Sequence, residues 1–125
     1  MKTLLLIPFL FVCSLVIGQS SKIIGTPYKL TKFEVAQNDF QDTRDWYDAK
    51  KACASLGSGW RLPTKDELYT MYLWKDDIGG FSDFFYWSST EANSNNAWLR
   101  YFQHDGAFND NKANTLCYVR AVRSL

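Results

Sequence analysis

Hydrophobic and polar positions change period along the chain, and each period implies an element. From Tyr28 to Ala36, β-branched and aromatic residues are separated by polar ones, the spacing of a strand. A polar turn over Gln37 to Asp42 follows. Trp46, Ala49, Cys53 and Leu56 then fall on one face of a helix that Thr43 can cap. Asp45 sits in its first turn, where the helix dipole favours negative charge, and Gly57 supplies a left-handed stop. After Pro63 a second helix is signalled: Thr64 and Glu67 have capping-box spacing, and Leu68, Met71 and Tyr72 form an apolar stripe ending near Trp74. Asp76 to Asp83 reads as loop, marked by Gly79-Gly80. Strands are expected over Phe84 to Ser89 and Ala97 to Gln103, where Trp98, Arg100 and Phe102 alternate with Ala97, Leu99 and Tyr101. A hairpin signal at His104-Asp105-Gly106-Ala107 precedes a last strand over Leu116 to Arg123. Strand, two helices, then strands is the order of an α+β domain, two helices packed on antiparallel sheets with a long loop region. Asn93 to Asn96 is a polar surface loop by composition.

The start of the chain follows a different pattern. Lys2 precedes a continuous apolar stretch from Leu4 to Val12 that resumes at Leu15, the form of an export signal. The stretch is shorter than the roughly 20 residues a membrane span needs, and Pro8 interrupts it. Cleavage is expected after Gly18, making residues 1–18 the signal peptide, 19–27 a short lead and 28–125 the domain. Cys13 lies in the apolar run, but Val12 before it is bulky where lipoprotein processing wants a small residue. The chain is therefore expected to be secreted, periplasmic or at the cell surface, with no membrane insertion after signal removal.

Charge and cysteine count narrow the partners. The sequence has 14 Lys and Arg against 13 Asp and Glu, and losing Lys2 leaves a formally neutral domain. That provides no clustered positive charge for nucleic acid or an anionic membrane. Cys53 and Cys117 remain after signal removal, and an even count outside the reducing cytosol suggests a disulfide. It would close a loop worth on the order of 4 kcal/mol by chain entropy.

Gly59-Trp60-Arg61-Leu62-Pro63-Thr64, Glu67-Leu68, Tyr86-Trp87-Ser88-Ser89-Thr90-Glu91, Ala97-Trp98, the Gly106 turn and Val119-Arg120-Ala121-Val122-Arg123 together resemble the bacterial domain called DUF1566. That domain is also known as the C-terminal domain of the Legionella collagen-like adhesin. The resemblance covers roughly Tyr28 to Leu125. It implies a C-type-lectin-like fold related to sulfatase-modifying-factor domains, in which a cysteine of the first helix bridges to one of the last strand. The adhesin's association with sulfated glycosaminoglycans implies a recognition role, although this chain lacks the collagen-like stalk and is neutral.

The chemistry-bearing residues point away from catalysis. Calcium-dependent lectins use a Glu-Pro-Asn or Gln-Pro-Asp triplet and a Trp-Asn-Asp segment; neither occurs, and the oxygens of Glu91, Asn93, Asn95 and Asn96 lack that proline-fixed geometry. His104 is the only histidine, so no transition-metal set is expected, nor a base for Ser88 or Ser89. The two hydroxyls are expected to satisfy backbone groups. With both cysteines joined, no thiol remains for oxidase chemistry. Arg120 is expected to pair with Glu91 or Glu67 inside the domain, with Arg123 on the opposite face and more exposed. The surface left for binding is where the Glu91–Trp98 loop meets the Phe108–Ala113 loop. Its candidates are Glu91, Asn93, Asn95, Asn96, Trp98, Arg100, Asp110 and Asn111, although Trp98, like Trp87, is of the type that more often fills a core. The expectation is a secreted, non-catalytic recognition module without cofactor, meeting an extracellular glycan or protein ligand. Its alternative is an envelope structural or protein-interaction domain. The sequence assigns no oligomeric state.

Overall fold

The computed structural model describes residues 21–125, so the expected export signal and Cys13 lie outside the described residues. Its strands are β1 (Tyr28–Lys29), β2 (Phe33–Val35), β3 (Trp60–Arg61), β4 (Phe85–Glu91), β5 (Asn96–Tyr101), β6 (Gly106–Asn111) and β7 (Val122–Ser124). The helices are α1 (Trp46–Ser55), α2 (Lys65–Leu73) and the single turn α3 (Lys75–Ile78). One antiparallel sheet has the order β1-β2-β7-β3 and the other β4-β5-β6, which makes the fold α+β. Among the described residues no helix is long and apolar enough to cross a membrane.

Local chemistry explains the helix boundaries. Asp45, rather than Thr43, caps α1 by accepting a hydrogen bond from Asp48 N–H at 2.9 Å. The α2 capping box forms as its spacing predicts: Thr64 Oγ1 accepts from Glu67 N–H at 3.2 Å, and Glu67 Oε1 accepts from Thr64 N–H at 2.8 Å. Arg61 forks onto the same Glu67 carboxylate at 2.6 and 2.9 Å and donates to Ser124 Oγ at 2.8 Å, tying β3 and β7 to the start of α2.

Sequence neighbours alternate between two cores. On one side α1 contributes Trp46, Ala49, Ala52 and Cys53 to a cluster with Trp60, Trp87, Leu99, Cys117, Val119 and Ala121. On the other, Leu68 and Met71 of α2 pack with Phe33, Val35, Tyr86, Phe102 and Val122. The segment 117–122 runs between the two, sending Cys117, Val119 and Ala121 one way and Tyr118 and Val122 the other, as a period of two requires. It is held by single backbone bonds to several neighbours: Cys117 N–H to Arg44 O (3.0 Å), Tyr118 N–H to Phe85 O (2.8 Å), and Phe40 N–H to Val119 O (3.1 Å).

Arg120 lies in this segment with its side chain fully buried. Its Nε donates to Asp39 Oδ1 at 2.6 Å, Nη1 to Ala36 O at 3.1 Å, and both terminal nitrogens to Gly79 O at 3.2 Å, while the guanidinium lies 4.0 Å from the centre of the Phe81 ring. Positive φ at Gly79 and Gly80 (82° and 77°) turns the chain so that this carbonyl faces in. The Tyr86 hydroxyl donates to the other Asp39 oxygen and accepts from Ser82 N–H at 2.7 Å. Burial lifts the Asp39 carboxyl above its ordinary value, against the opposing charge of Arg120 and the bonds from Tyr86, Arg120 and Ser82. Burial and the adjoining Asp39 push the Tyr86 phenol up, which keeps it a donor.

Several expectations are corrected. The strand expected over Tyr28–Ala36 breaks into β1 and β2, because Leu30 N–H bonds to Phe33 O at 2.9 Å and folds the chain into a hairpin. The expected loop Asp76–Asp83 begins with α3, which continues from Trp74. Phe108–Ala113 was expected as a loop, but Gly106–Asn111 is a strand in register with all of β5: pairing supplies what its Gly, Asn and Asp composition does not. The last strand is shorter than Leu116–Arg123, since only Val122–Ser124 finds continuous partners in β2 and β3. Arg120 pairs with Asp39 instead of Glu91 or Glu67, which are held by Lys112 (3.2 Å) and Arg61. Arg123, half-exposed as expected, pairs with buried Glu34 over the Trp60 ring.

Two predictions follow from these ion pairs. Arg120→Met leaves the Asp39 carboxylate buried without its counter-charge, so urea unfolding is expected to show a loss of roughly 3–5 kcal/mol. Burial pushes the Glu67 carboxyl up, but bonds from Arg61 and Thr64 outweigh it and hold the group below its ordinary value. Its stabilisation is therefore present at neutral pH and lost as pH falls through the folded pKa. Glu67→Gln should cost about 1–2 kcal/mol at pH 7, and the wild-type advantage should vanish in an acid titration of unfolding.

Candidate functional site

The surface expected from the sequence is assembled at one end of the β4-β5-β6 sheet. Asn96 pairs with Asn111 and Ala97 with Asp110 across the β5–β6 ladder, and Glu91 lies opposite Ala97 on β4. Glu91, Asn93, Asn95, Asn96, Asp110 and Asn111 thus come together, but each of them except Asn95 has a side-chain atom engaged within the protein. Asn93 Oδ1 accepts from the N–H groups of Asn95 and Asn96, both at 2.9 Å. Asn111 Oδ1 accepts from Ala113 and Asn114 at 2.9 and 3.0 Å. Asp110 Oδ1 accepts from Asn111 N–H at 2.7 Å, and Asn96 Nδ2 donates to Asn109 Oδ1 at 3.1 Å. The ammonium of buried Lys112 lies 3.2 Å from Glu91 and 3.0 Å from Ser94 O, so a protein cation already gathers these oxygens.

Trp98 and Arg100 lie farther along β5, on the face toward α2. Trp98 is half-buried, with the Lys65 ammonium 3.5 Å from its ring centre. Arg100 is buried over Tyr69 and bound to Asp105 at 2.6 Å, which withdraws it from the surface. Trp87 is a core residue. Ser88 Oγ donates to Trp98 O at 2.7 Å and accepts from Thr90 N–H at 3.2 Å, the backbone role expected of it. His104 is exposed in the turn before β6. Among the described residues no three His, Cys, Asp or Glu side chains are grouped to hold a metal ion.

The disulfide expected between Cys53 and Cys117 is not formed: both are buried free thiols in the same apolar cluster. Burial pushes each up to about 12, with Arg44 opposing the rise at Cys53 and Asp110 adding to it at Cys117. The environment that brings them into one core therefore also keeps them protonated, while exchange chemistry requires the thiolate.

A larger concavity lies elsewhere, between the β1–β2 turn and the outer face of α2. It encloses about 620 Å³ and is lined by Leu30, Thr31, Lys32, Asp66, Thr70 and Trp74, with Phe33 and Glu67 beneath. Trp74 is 48% exposed. Among the described residues neither Lys32 nor Asp66 forms an ion pair, so an ammonium and a carboxylate face the hollow beside an open indole. The α2 stripe carries a signal for this site. At 100° per residue, Trp74 is turned roughly a third of a turn away from the Leu68–Met71–Tyr72 face, so a large aromatic at that helix end has no core to fill. That Lys32 and Thr31 lie opposite it could not be read, because they come from a turn hidden within the expected single strand.

The thiol geometry yields a third prediction. At pH 8, native Cys53 and Cys117 should react with a disulfide reagent roughly a thousandfold more slowly than an ordinary exposed cysteine and fully after denaturation. Recovery of a Cys53–Cys117 linked peptide from the unreduced protein would instead establish the bridge.

No curated protein matches the chain. A family model, described as the Lcl C-terminal domain, matches residues 31–123, a span that takes in both longer helices, the whole three-stranded sheet and every strand of the other except β1 and the end of β7. By that match, over most of its length, the chain belongs to the Lcl C-terminal domain family.

Proposed function

We propose that the chain is an exported, non-catalytic recognition module of C-type-lectin-like fold that binds a glycan in the groove between the β1–β2 turn and α2. The observation that carries this reading is Trp74, a half-exposed indole in a concavity that also presents Lys32, Asp66 and the hydroxyl-bearing residues Thr31 and Thr70. Sugar rings have an apolar C–H face that stacks on an aromatic side chain and hydroxyls that bond to flanking carboxylate, ammonium and hydroxyl groups; such a mixed lining is what small-ligand sites share. Glu67 is neutralised by Arg61, and Asp66 offsets Lys32, so the lining carries no net positive charge to hold a sulfate and the groove favours neutral over sulfated glycans. The polar end of the β4-β5-β6 sheet supports binding less well, because one side-chain oxygen each of Glu91, Asn93, Asp110 and Asn111 already has a partner within the protein.

A protein partner is the second reading, favoured by exposed apolar residues on and beside the other sheet: Phe85 and Phe108 (52% exposed) in its strands, with Phe84 (58%) and Leu116 (63%) next to them.

A glycan array followed by titration tests the first reading. Neutral glycans should bind and quench tryptophan fluorescence. Trp74→Ala should weaken binding by at least about tenfold, or 1.4 kcal/mol, with an unchanged unfolding midpoint. Absence of binding above background across neutral and sulfated glycans would refute it.

A further inference from the structure

Among the described residues β6 is the open edge of the β4-β5-β6 sheet. The opposite edge is covered: Phe85 O accepts from Tyr118 N–H at 2.8 Å, Trp87 N–H donates to Tyr118 O at 3.2 Å, and Ser89 N–H donates to Pro63 O at 2.7 Å. On β6, Lys112 N–H donates to Asn95 O at 2.8 Å, and an antiparallel ladder alternates in direction. The backbone groups of Gly106, Phe108 and Asp110 therefore point to β5, and those of Ala107, Asn109 and Asn111 point outward. Asn111 is already engaged, its N–H to Asp110 Oδ1 at 2.7 Å and its carbonyl to Thr115 N–H at 3.2 Å. Ala107 and Asn109 are left, and among the described residues their N–H and C=O groups have no outward partner. The β5–β6 register runs without a bulge, and residues 106–111 include no proline or lysine, so the one blunting feature on this edge is the Asp110 carboxylate near its end.

We propose that β6 pairs antiparallel with β6 of a second copy, about a two-fold axis through Phe108, joining two three-stranded sheets into one of six. Registers centred on Ala107, Phe108, Asn109 or Asp110 match outward groups to outward groups, and the geometry separates them. Centring on Phe108 sets Ala107 against the second copy's Asn109, and the reverse, so that all four free groups on each strand are used reciprocally. Centring on Asn109 requires Asn111, whose groups are taken, and puts the Asp110 carboxylate against a phenyl ring. Centring on Ala107 requires Asp105, which lies in the turn before β6. Centring on Asp110 again requires Asn111 and sets two carboxylates against each other, whereas the Phe108 register places Asp110 opposite Gly106 and brings the two exposed Phe108 rings together at a closely spaced pair. Phe108 already meets Phe85 edge-on, ring centres 6.2 Å apart, above an apolar hollow of about 360 Å³ shared with Leu99 and Leu116; a second copy would cover this band. The proposal is independent of the Trp74 groove, which is lined by neither β5 nor β6.

Cysteine cross-linking of the full chain reads the register directly. Directly opposed residues of a closely spaced pair have Cα atoms about 4.5 Å apart, within disulfide range, so Phe108→Cys should cross-link to itself under mild oxidation. Asp110→Cys, about four residues out of step with its own copy, should cross-link at least about tenfold less. The buried native thiols should stay silent. Sedimentation of the wild type should show a concentration-dependent dimer, and amide exchange at Ala107 and Asn109 should slow as the dimer forms, a readout that needs no variant. Equal cross-linking at both positions, a monomer up to about 1 mM, or a dimer that leaves those two amides unprotected would overturn the proposal; the last would mean that another surface, or a different strand, is the partner.

Discussion

The burial of Arg120 is the constraint on which the rest of the structure depends. A guanidinium with no access to water persists only when its donors and its charge are all answered, and here the answers come from two separate stretches of chain, 36–39 and 79–81. Asp39 supplies the counter-charge, Ala36 and Gly79 supply carbonyls, and Phe81 supplies an aromatic face. These groups must converge for the segment 117–122 to pass between the two cores, so the loop after β2, the Gly79-Gly80 turn and the closing segment are placed together. Tyr86, bonding to the second Asp39 oxygen, extends the same network into β4.

The other ion pairs do related work nearer the surface. Arg61 with Glu67 holds the start of α2 to β3, Arg123 with Glu34 joins β7 to β2, and Lys112 with Glu91 closes the loop end of the second sheet. This explains why the residues richest in polar groups are not the most open to a ligand. Where an asparagine or carboxylate sits at a turn, nearby backbone N–H groups need acceptors and the side chain supplies them. At the hollow between the β1–β2 turn and α2, by contrast, Lys32 and Asp66 have no ion-pair partner among the described residues, although Thr70 and Glu67 are bonded within α2 and to Arg61.

The two sheets expose different chemistry for a related reason. The four-stranded sheet is interleaved with the closing segment, and its groove is mixed in character. The three-stranded sheet has one edge sealed by Tyr118 and Pro63 and one edge left as bare backbone beside exposed aromatic residues. A small-molecule surface and a strand-pairing surface can therefore coexist on one small domain without sharing residues.

Periodicity alone determined the α+β class, the positions of α1 and α2, the capping box at Thr64 and Glu67, and the β4 and β5 strands, because these depend on residues within a turn or two of one another. It also determined that the Glu91–Trp98 and Phe108–Ala113 stretches would meet, since a hairpin brings its own ends together. Tertiary structure decided the rest. The partner of Arg120 lies 81 positions away, and several carboxylates met the requirement equally well from sequence. β6 is a strand only because β5 offers it a ladder, and β3 only because β7 does. Cys53 and Cys117 share a core as free thiols, and it is burial within that core, not their spacing along the chain, that raises their pKa. The Trp74 groove needed both α2 and a turn that hydrophobic patterning cannot distinguish from continuous strand: a concavity is a relation between surfaces, and a sequence specifies its surfaces one at a time.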